Sequence, residues 1–388
     1  MSVKIDKLIP GGQALGTLPD GKKVMLWNVL PGEIVTDFKI TKNKSHYLEG
    51  IAIKIERPSE RRIQPQDACY LATSPWQMMD YDYELEQKRE LLIEIFRQHD
   101  IVVPEVPLVQ TDGHSLFYRN KMEYSLYYSH DDEQIYLAFH ERGTHRKVPI
   151  ENSSLERPEI LEHAQQIVSQ LNTKKVDARQ FQSLLLRCDQ SGKVSGGLFE
   201  NHKPHPVFAP LQDDLLGYKY SYSPNGFFQI NLPVYAMALR EIQQHIHTNK
   251  ILDLYAGVGT IGLSVAQDKE LTLVECDKSA YQEMKNNCQS IPNAKPVWAK
   301  SEEALEYIQP NQTVILDPPR AGCHSELLDK LLDICPPTII YLSCNPATQA
   351  RDVKILSSKY RVSSIIPFNF FPRTPHLENL IILEYGTK

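Results

Sequence analysis

Lys250-Ile251-Leu252-Asp253-Leu254-Tyr255-Ala256-Gly257-Val258-Gly259-Thr260-Ile261-Gly262 is the stretch on which the reading of the chain turns. Its first six residues form a compact apolar run of strand length, which passes straight into a glycine-rich turn. Gly257 and Gly259 let the backbone approach a ligand closely at that edge. A helical stretch follows, and then a second strand, Leu271-Thr272-Leu273-Val274-Glu275. Glu275 closes that strand about twenty residues beyond Asp253, where a carboxylate can accept hydrogen bonds from both hydroxyls of a ribose. Two classes share this pattern: nicotinamide-dependent oxidoreductases and methyltransferases that use S-adenosylmethionine.

Downstream, Thr313-Val314-Ile315-Leu316-Asp317 and Thr338-Ile339-Ile340-Tyr341-Leu342-Ser343 repeat the alternation of strand and helix. That alternation predicts an α/β fold over 216–388, a doubly wound, mostly parallel sheet of Rossmann-like form. In such a sheet the C-terminal strand ends face the ligand crevice. Three motifs fall at strand ends. Asp317-Pro318-Pro319-Arg320 has prolines that end a strand and stiffen the turn. Ser343-Cys344-Asn345-Pro346 presents a cysteine in a tight, rigid turn, and a thiolate there needs a polar setting that lowers its pKa. Phe371-Pro372-Arg373-Thr374-Pro375-His376-Leu377-Glu378 places a carboxylate, a potential general base, ahead of the apolar strand Asn379–Leu383.

The two regions before this one read differently. Residues 63–215 mix elements: a helical pattern over Tyr83–Gln98, paired strands over 116–128 and 134–140, a helix over Glu159–Leu171, and strands over 181–188 and 194–200. Residues 1–58 are short strands punctuated by Gly11-Gly12, Pro19-Asp20-Gly21 and Leu30-Pro31-Gly32, which suggests a small β-barrel. The polar run Arg57-Pro58-Ser59-Glu60-Arg61-Arg62 reads as a linker. The chain has 388 residues and a net charge of −6, which argues against a uniformly basic nucleic-acid coat. Residues 1–62, however, hold 11 Lys+Arg against 7 Asp+Glu, so a basic module precedes an acidic body. No run reaches about 18 apolar residues, so no membrane span is expected. The start lacks the apolar core of a signal peptide. Seven scattered cysteines form no disulfide framework, and a cytoplasmic setting is expected.

Taken together, the motifs resemble the S-adenosylmethionine-dependent RNA uracil-C5 methyltransferases. The resemblance covers essentially the whole chain. Leu30-Pro31-Gly32-Glu33 and the glycine turns resemble the TRAM domain, an OB-like RNA-binding barrel, here over 1–58. Tyr118-Arg119-Asn120-Lys121-Met122-Glu123-Tyr124 resembles part of the family's central α+β domain, here over 63–215. Phe227-Phe228-Gln229-Ile230-Asn231 resembles the lead-in to the methyltransferase core. By resemblance, Gln229, Tyr255, Thr260, Glu275 and Asp317 contact S-adenosylmethionine beside Gly257 and Gly259, Thr260 standing where some relatives have Asn. Cys344 is implied as the nucleophile that adds to uracil C6, and Glu378 as the base that removes the C5 proton. Phe227, Arg119, Lys121 and Arg320 are expected against the RNA.

Many relatives bind a four-iron cluster through four cysteines of the central region. Here only Cys69 remains, with Ser74 and Ser153 where the third and fourth would stand, so no iron–sulfur cluster and no metal are expected. An oxidoreductase would leave Cys344 and Glu378 unexplained. A non-catalytic RNA-binding scaffold sits badly with the presence of Cys344, Glu378 and Asp317 together. A cytosine-C5 enzyme would want an acid at N3 of the base. The TRAM-like region favours large-subunit (23S) ribosomal RNA over the T-loop of transfer RNA as substrate. A monomer is expected.

Overall fold

The computed structural model describes residues 2–200, 203–205, 208–266 and 268–386. Five strands come first: β1 (Val3–Leu8), β2 (Ala14–Thr17), β3 (Lys23–Trp27), β4 (Ile34–Asn43) and β5 (Tyr47–Arg57). They close into a barrel in the order β1-β2-β3-β5-β4. Val3, Ile5 and Leu8 point inward with Val24, Leu26 and Val35, while Lys4 and Asp6 face out. Val3 to Asp6 keep the period of two that a half-buried strand requires, and a register shift between Ile5 and Lys7 brings Leu8 inward. Gly50 is needed where β5 crosses β4, because a Cβ there would lie 2.5 Å from the Lys39 carbonyl oxygen. Trp76, Met78 and Met79 complete the barrel core from outside.

Residues 57–62 are not the free linker expected from their polarity. Buried Glu33 accepts hydrogen bonds from the Ser59 N–H (3.0 Å) and from Arg62 Nε and Nη2 (both 2.7 Å), fastening the segment to the barrel. A buried carboxylate must find such donors. A run of charged residues does not reveal which member will supply them.

A single turn, α1 (Tyr70–Thr73), leads to the long helix α2 (Tyr81–Gln98). The Asp80 side chain caps α2 by accepting from the Tyr83 N–H at 3.2 Å, so the helix starts two residues before the apolar pattern does. A six-stranded sheet follows, built from β6 (Lys121–Ser129), β7 (Gln134–His140), β8 (Lys147–Pro149), β9 (Ser183–Cys188), β10 (Val194–Glu200) and β11 (Lys203–His205), with α3 (Pro158–Thr173) between β8 and β9 in the chain. Helix α3 buries Ile160, Ala164 and Leu171 in the same core as Tyr124, Leu126, Leu184 and Leu186. The first strand begins only at Lys121, not at 116. Phe117 and Arg119 donate their N–H groups to the carbonyls of Ser154 and Leu155 instead.

The hairpin β12 (Leu211–Leu215) and β13 (Tyr218–Tyr222) spans residue 216 and packs on the core of the last region. Next come α4 (Leu232–Gln244), β14 (Lys250–Leu254), α5 (Thr260–Ala266), β15 (Glu270–Glu275), α6 (Lys278–Asn287), β16 (Ala294–Trp298), β17 (Thr313–Leu316), α7 (Ser325–Ile334), β18 (Thr338–Ser343), α8 (Pro346–Leu356), β19 (Tyr360–Phe368) and β20 (Glu378–Tyr385). Their seven strands lie in the order β16-β15-β14-β17-β18-β20-β19. The first five are parallel, β20 runs antiparallel to them, and β19, antiparallel to β20, runs in the direction of the first five. One face is covered by α4, α5, α6 and the hairpin, the other by α7, α8 and α2. Helix α2 therefore reaches out of the middle of the chain to bury Leu92, Ile95 and Phe96 against the C-terminal sheet. Strand order reverses at β14, whose neighbours are β15 and β17. A crevice at the strand ends on either side of that reversal is the place for a ligand in an open α/β sheet.

Candidate active site

A cleft of about 950 Å³ opens at those strand ends. Tyr255 and Gly257 enter it from the end of β14, Glu275 from β15, Asp317 and Arg320 from the turn after β17, and Cys344 from the turn after β18. Phe227 and Gln229 come from the loop between β13 and α4, and Thr260 from the first residue of α5. Glu378 reaches the same edge because β20 runs antiparallel, so its first residue meets the ends of the parallel strands. Ser343 is paired with Asn379, which sets Cys344 and Glu378 side by side.

The glycine turn holds its shape through unusual backbone angles. Tyr255 has φ +64° and Gly257 φ +57°, the left-handed region that a side chain disfavours. The Gly257 N–H donates to Glu275 Oε2 at 2.8 Å and the Asp277 N–H to Oε1 at 2.6 Å. The carboxylate is thereby oriented, with lone pairs left on both oxygens for hydroxyl donors. Gly259 does not line the cleft. At φ +89°, its Cβ would lie 2.9 Å from Leu263 Cδ1, so this glycine is needed for close helix–sheet packing. At the other wall, Asn120 Nδ2 donates to the Gln229 carbonyl (3.0 Å) and Arg187 Nη2 to that of Phe228 (2.7 Å). The Phe227 ring is 72% exposed at the rim.

Three carboxyls crowd this edge. Asp253 accepts from the Gly262 N–H at 2.8 Å through Oδ2, while its other oxygen has no partner among the described residues. Burial, opposed by that one hydrogen bond, pushes Asp253 up to about 8. Desolvation at the cleft floor raises Asp317 to about 7. Glu378 lies well above its usual range, first through burial and then through Asp317, with Arg320 opposing, and its Oε2 is also unpartnered. The Cys344 thiol is pushed up to about 11 by burial and by Glu378, against the pull of Arg320. The setting therefore raises this thiol's pKa, contrary to the expectation of a lowered one. The turn is exposed in outline, but it sits beside two acids and one arginine.

Residues 304–385 match the family model described as tRNA (uracil-5-)-methyltransferase. An uncharacterized RNA methyltransferase of Thermosynechococcus vestitus is 27% identical, the match covering 99% of this chain and 97% of that protein. One from Prochlorococcus marinus is 29% identical over 92% of this chain and 99% of its own. The crystal structure of the Pyrococcus abyssi tRNA (uracil-54, C5)-methyltransferase in complex with S-adenosyl-L-homocysteine superposes with a TM-score of 0.79. It is 25% identical and covers 99% of this chain and 100% of its own. Over nearly its whole length the chain is thus similar to RNA methyltransferases, and its C-terminal part to the tRNA (uracil-5-)-methyltransferase family model.

Two residues expected against RNA have a different setting in this methyltransferase. Lys121 Nζ donates to the carbonyls of Asn225 (3.2 Å) and Gly226 (3.1 Å), bracing the loop that carries Phe227. Burial, and then Arg187, bring its pKa down to about 8. Arg119 Nε donates to the Lys121 carbonyl at 3.4 Å. Neither lines the cleft. Ser279, Lys300 and Ser301 do line it, and the sequence reading passed over all three. The missed signal was β16, which holds Pro296, a residue tolerated on an edge strand. Recognising that strand would have put Lys300 and Ser301 at the C-terminal edge.

Ser74 Oγ accepts from Gln77 Nε2 (2.8 Å), and Ser153 Oγ donates to Glu156 Oε2 (2.6 Å). The Cys69 thiol is pushed up to about 11 by burial and by Asp67. One half-buried thiol and two committed hydroxyls do not fit a cluster held by four thiolates.

Asp253 gives a test of stability. Its folded pKa, about 8, lies above the ordinary value of about 3.9. Between those values the folded protein holds a proton that the unfolded chain has released, so stability falls as pH rises from 4 to 8. The loss is about 1 kcal/mol per pH unit across that window. Asp253→Asn keeps the acceptor for Gly262 and removes the titration. Its melting temperature should match wild type at pH 4 and exceed it at pH 8. Parallel profiles for the two proteins would exclude this assignment.

Proposed function

We propose that the protein methylates uridine at C5 in RNA through a covalent adduct between Cys344 and uracil C6. The observation that carries this is the meeting of Cys344, Glu378 and Asp317 at adjacent strand ends of one cleft, across from the Glu275 cradle. Uracil C5 is too weak a nucleophile to attack a methylsulfonium unaided. Addition of the Cys344 thiolate to C6 makes an enolate and raises electron density at C5. Once C5 carries the methyl group, Glu378 takes its proton, the C6–S bond breaks, and Sγ leaves as thiolate. Phe227 at the rim stacks on the base drawn out of its loop. Arg320, beside Cys344, favours the thiolate by its charge.

S-adenosylmethionine supplies a methyl group on a positively charged sulfur. The residues fit it: Glu275 holds free lone pairs for ribose hydroxyls, and Tyr255, Gly257, Thr260 and Gln229 wall the same cleft. Asp317 and Glu378 are carboxyls short of counter-charge, a setting that welcomes a cation. Uptake of a cation favours ionised Asp317, so binding below pH 7 should release protons. Calorimetry of S-adenosylmethionine binding at pH 6.5, in two buffers of different ionisation enthalpy, should show that release. Asp317→Asn should lower it. Equal heats in the two buffers would refute the assignment.

The preference for ribosomal RNA rested on the barrel. The Pyrococcus abyssi enzyme, named for transfer RNA, matches this chain over 99% of its length, barrel region included. That ground therefore does not separate the two RNAs, and the assay takes both. Transfer RNA and large-subunit ribosomal RNA lacking the modification are each incubated with protein and S-adenosylmethionine, digested, and analysed by nucleoside mass spectrometry. 5-Methyluridine from one of them supports the reading and names the substrate. 5-Methylcytidine in its place would overturn it.

A further inference from the structure

Glu84 and Lys88, one turn apart on α2, are both fully buried. Lys88 has three ammonium protons and three acceptors: Glu84 Oε1 (2.9 Å), Asn369 Oδ1 (2.6 Å) and the Phe371 carbonyl (3.1 Å). Glu84 in turn accepts from the Arg373 N–H (3.0 and 3.1 Å) and from Asn369 Nδ2 (3.3 Å). Among the described residues, every hydrogen-bond partner of the pair's side chains beyond α2 thus lies on one short segment, Asn369–Arg373, and the Trp76 ring lies 5.8 Å from Lys88 Nζ. That segment lines the cleft with Phe371 and leads directly to Glu378. Its far side is held as well: the Trp76 N–H donates to the Arg373 carbonyl (3.0 Å) and Tyr118 Oη to that of Pro372 (3.1 Å).

Burying two charges is costly, and stability alone is often served as well by apolar residues of like volume. A pair so fully satisfied by a single loop has a different use: it admits one backbone path for that loop. We propose that Glu84 and Lys88 are positioning residues that set the path of residues 369–377 and so the placement of the Glu378 carboxylate for proton removal. This rests on the reading of Glu378 as the base. The α2 pair touches neither the Glu275 cradle nor Cys344, so cofactor binding and thiolate addition are left intact while elimination slows.

The test uses Glu84→Gln, which keeps an acceptor, and the double variant Glu84→Gln/Lys88→Met, which removes both charges of the α2 pair while Arg373 keeps its hydrogen bonds to the Met79 carbonyl and Ser115. S-adenosylhomocysteine should raise the melting temperature of both as it does for wild type. With ordinary uridine RNA and S-adenosylmethionine, the double variant should turn over about tenfold more slowly. The fraction of protein in denaturant-stable complex with that RNA should rise, with Glu84→Gln intermediate. Slower turnover without a rise in the complex would make the pair merely structural and overturn the proposal, as would wild-type values of both. If wild type itself forms no Cys344-dependent complex with 5-fluorouridine RNA, it is the reading of the reaction that fails.

Discussion

RNA containing 5-fluorouridine is expected to become covalently joined to the protein when S-adenosylmethionine is present, and Cys344→Ala is expected to abolish the link. After methyl transfer, C5 of that base carries fluorine where hydrogen should be. Fluorine cannot leave as a cation, so Glu378 has nothing to remove and the C6–S bond persists. The complex should survive denaturant and run at the summed mass on a gel. Methyl transfer to ordinary RNA by Cys344→Ala should fall by at least about 10⁴-fold, since loss of a nucleophile removes the whole covalent route. The turn itself should survive the substitution, because Asn345 Nδ2 holds the Arg320 carbonyl at 2.8 Å and the Ser343 hydroxyl accepts from the Asn345 N–H at 3.1 Å. If S-adenosylhomocysteine stabilises the protein but neither RNA forms the complex, covalent uracil methylation is the wrong reaction.

Glu378→Gln should have the opposite effect on the adduct. Glutamine has the shape of glutamate but cannot accept the C5 proton. Turnover should fall about 10²- to 10⁴-fold, the usual contribution of a general base. Ordinary uridine RNA should now accumulate in the covalent complex, because addition and methyl transfer precede the blocked step. Glu378 also raises the pKa of the Cys344 thiol. Replacing it by a neutral group lowers that pKa, so the thiolate fraction near pH 8 rises and addition itself should quicken. Single-turnover kinetics separate the two effects. A Glu378→Gln protein that is slow and shows no adduct would assign the proton removal to another group.

Much of this arrangement was legible from local pattern. Apolar runs of strand length ending in Asp317, Ser343 or Glu275 predict parallel strands. The rule that ligands sit at C-terminal strand ends then gathers Tyr255, Glu275, Asp317 and Cys344 at one edge without coordinates. The barrel followed from short strands between glycine turns, because alternation and turn chemistry are properties of neighbouring residues.

What stayed illegible depends on partners far apart in the chain. Arg62 reads as linker until Glu33, 29 residues away, is seen to need its guanidinium. Helix α2 reads as part of the middle region, yet its apolar stripe lies on the C-terminal sheet, and an amphipathic pattern states that a face is buried without stating against what. Lys121 matches a motif expected to meet RNA, but its ammonium holds the Phe227 loop.

The sequence by itself determined the kinds of element, their order, and which chemistry-bearing residues end a strand, since each follows from periodicity and turn residues within a short window. Only the tertiary structure decided that the Cys344 thiol is held high by burial and Glu378, and that the loop before Glu378 hangs on a buried pair from α2. Both depend on desolvation and on groups some 30 to 290 residues apart, which no local pattern of side chains encodes.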